Sequence, residues 1–185
     1  MKKMKHRISA LALLAIALLS ASCVKQKLET TYNSQEDKID QYIEKNRIVS
    51  GDTLRVVYNA GSSRLVTKEG EGPELAADGN IAFYYAGYTF GGSISNSNLF
   101  STNHEPSATA AGWTLTEDEA KALTINLNDY RLLPGLKSGL IGVKGGEECQ
   151  ILFTGKYGFG NKELGIIPAN SALVYKIWVE SISND

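Results

Sequence analysis

The chain has 185 residues, 43% hydrophobic and 21% charged, with nineteen Lys and Arg against twenty Asp and Glu for a formal net charge of −1. That is the makeup of an ordinary globular protein, and it excludes a long disordered chain, a collagen-like repeat and a multi-span membrane protein. Two cysteines are too few for a disulfide framework, and two histidines leave little for a zinc site.

Residues 1–22 read as an address rather than as part of the fold. Lys2, Lys3, Lys5 and Arg7 make a basic start, Ile8 to Leu19 is apolar apart from Ser9, and Ser20, Ala21 and Ser22 precede Cys23. So short an apolar run, at about 1.5 Å per residue, does not cross a bilayer core of ~30 Å. The pattern fits a bacterial secretory signal. Leu19-Ser20-Ala21-Ser22-Cys23 resembles a lipobox, in which the signal is cut before a Cys whose thiol carries lipid; a soluble protein cut near Ala21 is the other reading. Acyl chains anchor through ~0.8 kcal/mol per buried CH₂. Val24 is not an Asp retention signal, so the expected location is the cell envelope, at the periplasmic face of the outer membrane. The segment holds four basic and no acidic side chains, so cleavage leaves fifteen against twenty, a net of −5. That disfavours a nucleic-acid binder, which needs a basic face.

Residues 23–33 are polar without an apolar period and read as a tether between lipid and domain. Over 34–49 the spacing predicts a short helix: Ser34 with Asp37 resembles a capping box, and Ile39, Tyr42 and Ile43 fall on one face. That helix either docks on the domain or dimerises. A domain over 50–185 follows. Strands are predicted over 53–58, 64–68, 80–90, 123–127, 148–154 and 172–182, with a turn at Gly70-Glu71-Gly72-Pro73. In the last strand Leu173, Tyr175, Ile177 and Val179 point one way. Cys149, Ile151 and Phe153 share a face of the strand before it, which makes Cys149 a buried, inert thiol. One short helix fits inside this region, from Pro134 to about Ile141, with Gly142 at its end. The expected architecture is α+β: an antiparallel sheet with one face buried against that helix. Residues 91–122, dominated by Gly, Ser, Asn and Thr, read as a long insertion.

No nucleophile–base pair presents itself. His104 stands alone in the insertion and reads as solvated. Gly158-Phe159-Gly160 lacks the Lys-Ser/Thr of a phosphate loop and reads as a turn. Carboxylates are scattered, so acid–base or covalent chemistry is not expected. What remains is a set of apolar and aromatic residues beside turns.

Those residues carry a resemblance. Leu133-Pro134-Gly135-Leu136-Lys137-Ser138-Gly139-Leu140, Gly145-Gly146-Glu147, Tyr157-Gly158-Phe159-Gly160 and Gly165-Ile166-Ile167-Pro168-Ala169 through Tyr175 follow in the order and spacing of the FKBP-type peptidyl-prolyl cis–trans isomerases. Upstream, Gly72-Pro73, Asp78-Gly79 and Tyr85-Ala86-Gly87 look like that family's opening, and the resemblance spans roughly residues 64–183. It implies a curved antiparallel sheet wrapped on one helix. It implies a catalytic prolyl pocket of Tyr85, Phe100, Leu133, Leu136, Phe159, Ile167 and Tyr175, with Leu123, Leu132 and Ile166 binding substrate and the Leu133 N–H holding a substrate carbonyl. The competing reading is that these aromatics form core alone. No cofactor and no metal is implied, and the partners would be proline-containing polypeptides, with the membrane reached through lipid on Cys23.

The sequence departs from the family pattern at three pocket positions. Ser101 stands where an Asp usually follows the Phe, Leu136 where a Trp usually forms the floor, and Phe159 where a Tyr usually donates a phenol hydrogen bond. The loop before Gly165 is one residue short. These changes imply an isomerase slowed by roughly tenfold to a few hundredfold, or a non-catalytic FKBP-like module that holds a peptide or partner. Trp113, the insertion's one tryptophan, is a candidate contact with either the domain or a client, and the insertion is either solvated or an extra wall over the pocket.

Overall fold

The structure, a computed structural model, describes residues 25–185, so the expected signal and Cys23 lie outside the described residues. The chain divides into two units, 1–34 and 35–185. In the first, residues 25–34 are helical, and in the second the helix, α1, runs on to residue 46. The segment read as a polar tether is therefore helical from 25, and the helix ends at residue 46, with 47–49 leading into the first hairpin. Thr30 and Thr31 each turn a hydroxyl back onto the carbonyl four residues earlier, at 3.0 Å. These bonds satisfy polar side chains along a helix that has little apolar face there.

After α1 come a small hairpin, β1 (Ile48–Val49) and β2 (Asp52–Thr53), and then the strands of the main sheet. These are β3 (Val56–Asn59), β4 (Ser62–Lys68), β5 (Asn80–Phe90), β6 (Leu99–Thr102), β7 (Leu123–Asn126), β8 (Glu148–Phe153) and β9 (Ala172–Ser183). Two helices interrupt them, α2 (Glu105–Ala110) and α3 (Pro134–Leu140). The order across the sheet is β3-β4-β8-β9-β5-β6, and every pairing is antiparallel. β6 and β7 both pair with β5, β6 with residues 86–88 and β7 with residues 80–83. Because β9 occupies the other edge along the whole of β5, the segment 103–122 links two strands on one edge.

The sheet is covered on both faces, where alternation alone predicted one. On one side Phe83, Ile151, Phe153, Leu173, Tyr175 and Ile177 pack with Leu136 and Leu140 of α3. On the other, Tyr88, Phe90, Leu152 and Val174 pack with Ile39 and Ile43 of α1. Burying each such side chain contributes ~1.5–3 kcal/mol relative to exposure. Cys149 is 2% exposed, and burial pushes its thiol pKa well up, so it is an unreactive core residue.

The packing of α3 on β8 rests on a glycine. A Cβ at Gly135 would overlap the Phe153 ring, so a bare backbone is required for this approach. The far end of α3 is held by Arg64, itself 2% exposed. Its Nη1 donates to the carbonyls of Gly139 (2.7 Å) and Ile141 (2.8 Å), and its Nη2 to that of Gly142 (3.1 Å). A cation at a helix C-terminus meets both the unpaired carbonyls and the dipole. Arg64 Nε also lies 3.3 Å from Glu147, whose side chain is fully buried and whose other oxygen is 3.3 Å from Arg55.

The 91–122 segment is less irregular than its composition suggested. It contains β6 and α2, with Pro106 in the first turn of the helix and Ala108 fully buried. His104 is not a solvated loop residue either. Its ring stacks on Trp178 with centroids 3.7 Å apart and planes at 13°, and Nδ1 is 2.9 Å from Ser107 Oγ.

Candidate active site

The face of the sheet that packs on α3 opens at one end into a cleft of about 650 Å³. All ten residues of the expected pocket line it: Tyr85, Phe100, Leu123, Leu132, Leu133, Leu136, Phe159, Ile166, Ile167 and Tyr175. They arrive from five places in the chain, β5 to β7, the approach to α3, α3 itself, the loop 158–171 and β9.

Tyr175 is the hub. Its ring centroid is 5.8 Å from Phe100, 6.1 Å from Tyr85 and 6.0 Å from Phe153, and Phe100 lies 6.3 Å from Phe159 in an edge-on contact. Gly87 pairs with Tyr175 across β5 and β9, and a Cβ there would press on both Phe100 (2.8 Å) and Tyr175 (2.9 Å). The missing side chain therefore makes room for the aromatic wall. Burial, with Tyr85 as the next contributor, pushes the Tyr175 hydroxyl pKa well up, so it stays protonated.

Consecutive isoleucines serve different surfaces because the loop turns between them. Leu164 and Ile167 exchange backbone hydrogen bonds at 3.0 and 2.9 Å, with Gly165 at φ 57° in the turn. Ile166 is left at the tip, 59% exposed on the cleft's rim, while Ile167 is buried beneath it. The base of this loop is tied to α1: Gln35 Nε2 donates to the Asn170 carbonyl (2.7 Å) and its Oε1 accepts from the Gly155 N–H (2.9 Å).

Leu133 precedes α3 in extended conformation, φ −61° and ψ 136°. Its N–H has no hydrogen-bond partner among the described residues. Leu133 itself lines the cleft. Polar groups are otherwise few. Tyr85 Oη is 2.9 Å from Ser101 Oγ, and Arg131 is the one charged residue among those lining the cleft. Arg131 is held in a fork by Asp129, at 2.6 Å for Nη2, and that guanidinium lowers the Asp129 pKa to about 2.

Several lining residues were not anticipated. Phe83 follows from its strand parity with Tyr85, Leu164 from the loop and Arg131 from its place beside Leu132, whereas parity puts Leu99 on the face opposite Phe100, where it packs. Trp113 also lines the cleft, which sets the insertion against the site rather than wholly in solvent. The chemistry available is binding and shape: a desolvated pocket with one hydroxyl pair and one free N–H, and no side chain poised as nucleophile or base.

Comparison with known proteins matches this geometry. Residues 85–180 fit the family described as FKBP-type peptidyl-prolyl cis-trans isomerase. FK506-binding protein 1 of Aspergillus oryzae is 26% identical over 117 residues, covering 63% of this chain and 94% of that protein. Among solved structures, FkpA from Escherichia coli superposes with a TM-score of 0.54 at 20% identity, over 93% of this chain and 70% of that one. The N-terminal domain of FKBP42 from Arabidopsis thaliana gives 0.53 at 17% identity, over 75% of this chain and all of that one. The profile match over more than half of the sequence, on a fold of the same architecture, places this chain in the FKBP-type peptidyl-prolyl cis-trans isomerase family.

Proposed function

We propose that the protein is a prolyl isomerase of reduced activity that assists the folding of envelope proteins. On this reading the mature chain is held by lipid on Cys23 at the periplasmic face of the outer membrane. The observation that carries the catalytic part is the convergence of ten separately placed apolar and aromatic residues on one open cleft beside a free N–H.

Rotation about an X–Pro bond meets a barrier of ~20 kcal/mol because amide resonance must be broken. Resonance is stronger in a polar medium, so moving the amide into an apolar cleft lowers that barrier. A cavity that fits the twisted amide better than either planar form lowers it further, since only differential binding accelerates the step. The Leu133 N–H holds a neighbouring carbonyl while the bond turns. The reduction in rate is argued from Leu136 and Phe159, which bring neither an aromatic floor nor a phenol donor, and from Ser101, which brings no charge.

The test is a proline-limited refolding assay with the mature chain and with Tyr85→Ala. Acceleration that Tyr85→Ala abolishes supports the proposal; no acceleration at stoichiometric protein rejects catalysis. The same three substitutions favour a second reading, a domain that binds proline-containing segments without turning them over. Retained peptide binding without acceleration would select it. The anchor is tested separately by metabolic labelling with a fatty-acid analogue, which Cys23→Ser must abolish.

A further inference from the structure

We infer that the pocket between α1 and the β3–β4 turn is a second binding site, built for the guanidinium of an arginine side chain on a polypeptide. It shares no lining residue with the cleft and does not depend on it. Three observations carry the inference.

The first is an unneutralised charge. Glu36 and Asp40 stand one turn apart on α1 and both line a cavity of about 330 Å³, the lower end of the size of ligand pockets. Residues at i and i+4 share a helix face, so the two carboxylates present acceptors to the same space. Among the described residues no Lys, Arg or His lines that space, and neither carboxylate has an ion-pair partner.

The second is what lies beneath them. Thr154 lines the same cavity and is 2% exposed, and its Oγ1 is buried with no hydrogen-bond partner among the described residues. A buried hydroxyl left unpaired costs stability unless something bonds it. The neighbouring polar groups are already engaged: Ser62 Oγ donates to the Asn59 carbonyl (3.0 Å), and Asn59 Nδ2 donates to the Ser138 carbonyl (3.0 Å). Two carboxylates and one hydroxyl remain open as acceptors. A cationic ligand with several N–H donors satisfies all three.

The third is the shape of the walls and how firmly they are held. Ile39, Leu152 and Phe153, all buried, give the cavity apolar sides along which a long stem can lie. Tyr58, 64% exposed, adds a ring that a flat cation can stack on. α1 is pinned just before Glu36 by Gln35, which bridges Gly155 and Asn170 at 2.9 and 2.7 Å. It is pinned beyond Asp40 by the Tyr42 hydroxyl, which donates to Gln150 Oε1 at 2.8 Å. A planar fork that reaches two carboxylates and also stacks on a ring is what Arg offers and Lys does not. A metal ion fits less well, since no three His, Cys, Asp or Glu come together among the described residues.

The experiment is an NMR titration of the isotope-labelled mature chain with acetylated and amidated Gly-Arg-Gly, and with the same peptide carrying Lys or citrulline in place of Arg. No proline is present, so the result stands whether or not the cleft is a prolyl site. Saturable shifts are expected at 35–41, 58–63 and 152–155. Citrulline keeps the shape without the charge and should bind about tenfold more weakly, with Lys between the two. Glu36→Gln combined with Asp40→Asn should abolish the shifts. Thr154→Val should weaken the arginine peptide by roughly threefold to tenfold, while its urea midpoint without peptide equals or exceeds that of wild type, because the hydroxyl it removes has no partner. Thr154→Ser keeps the hydroxyl and should bind as wild type does. Unchanged binding or a lowered midpoint in Thr154→Val overturns the inference. So does equal binding of the arginine and lysine peptides, or a set of shifts confined to the prolyl cleft.

Discussion

Tyr85 and Ser101 meet hydroxyl to hydroxyl inside the cleft, 2.9 Å apart, one on β5 and the other on the neighbouring strand β6. The contact fixes the tilt of the Tyr85 ring in the wall that it shares with Tyr175. A neutral hydrogen bond contributes ~0.5–1.5 kcal/mol, so Ser101→Ala should lower kcat/KM for a proline peptide by roughly two- to tenfold. Ser101→Asp offers an ionised acceptor, for which such bonds are about twice as strong, and should raise it above wild type. If both variants match wild type in a coupled peptide assay, the pair has no part in holding the ring.

The floor of the cleft gives a stronger contrast. Leu136 is buried on α3 and faces the cavity, and Phe159 touches Phe100 from the loop. Leu136→Trp combined with Phe159→Tyr adds an aromatic floor and a phenol donor to a pocket with room for both. Turnover is expected to rise by about tenfold or more, since each added contact of ~1 kcal/mol in the twisted state gives a factor near five. A change in urea midpoint with no change in turnover would favour the binding-module reading.

Much of this site was legible because its positions are dictated by local rules. Pro134 at a helix start and the alternation of β9 each leave a mark in the sequence. What was not legible depended on contacts between distant segments. Residues 25–33 carry no apolar period, yet they are helical in a helix whose later turns bury Ile39 and Ile43. α2 is only six residues long and its buried face is a single alanine, too little for a periodicity to register. His104 gave no sign of its place because the partner that shields it, Trp178, is far off on β9.

Arg64 is the residue whose loss should cost most outside the cleft. It bonds three carbonyls at the end of α3 and faces the buried Glu147 at 3.3 Å. Removing one partner of a buried pair costs up to ~3–5 kcal/mol, and Glu147 would be left with the half-exposed Arg55 alone. Arg64→Met should therefore lower the unfolding free energy in urea by about that amount, and Arg64→Met with Glu147→Gln should recover a substantial part. A double variant as unstable as the single one would show that the helix carbonyls, not the pairing with Glu147, carry the loss.

Gln35 tests whether α1 shapes the cleft from outside. Its amide bridges Gly155 and Asn170 at 2.9 and 2.7 Å, the two ends of the segment that carries Phe159 and Ile167. Gln35→Ala leaves a backbone N–H and a carbonyl without these partners. Affinity for a proline peptide should fall severalfold while the global unfolding free energy falls by less than about 1.5 kcal/mol. Hydrogen exchange should quicken at 155–171 and nowhere in β8. Unchanged exchange in that loop would mean that its conformation does not need the bridge.

The stack of His104 on Trp178 makes stability depend on pH in a stated direction. Burial is the largest influence on the ring and lowers its pKa; Glu148 works against the shift and Lys176 adds to it. Tyr84, edge-on at 6.4 Å, and Ser107 complete its surroundings. A His whose pKa is lower in the folded state than the ordinary ~6.5 contributes stability that is fully present above the unfolded value. That stability is lost as the pH falls through the folded value, because the unfolded chain then binds the proton more readily. The urea midpoint should therefore fall between about pH 7.5 and about pH 5, beyond any loss from carboxylates. His104→Phe keeps a flat ring on Trp178 without a titrating group, so it should flatten that part of the profile. A variant with the same slope as wild type over this window would show that the loss originates at other groups.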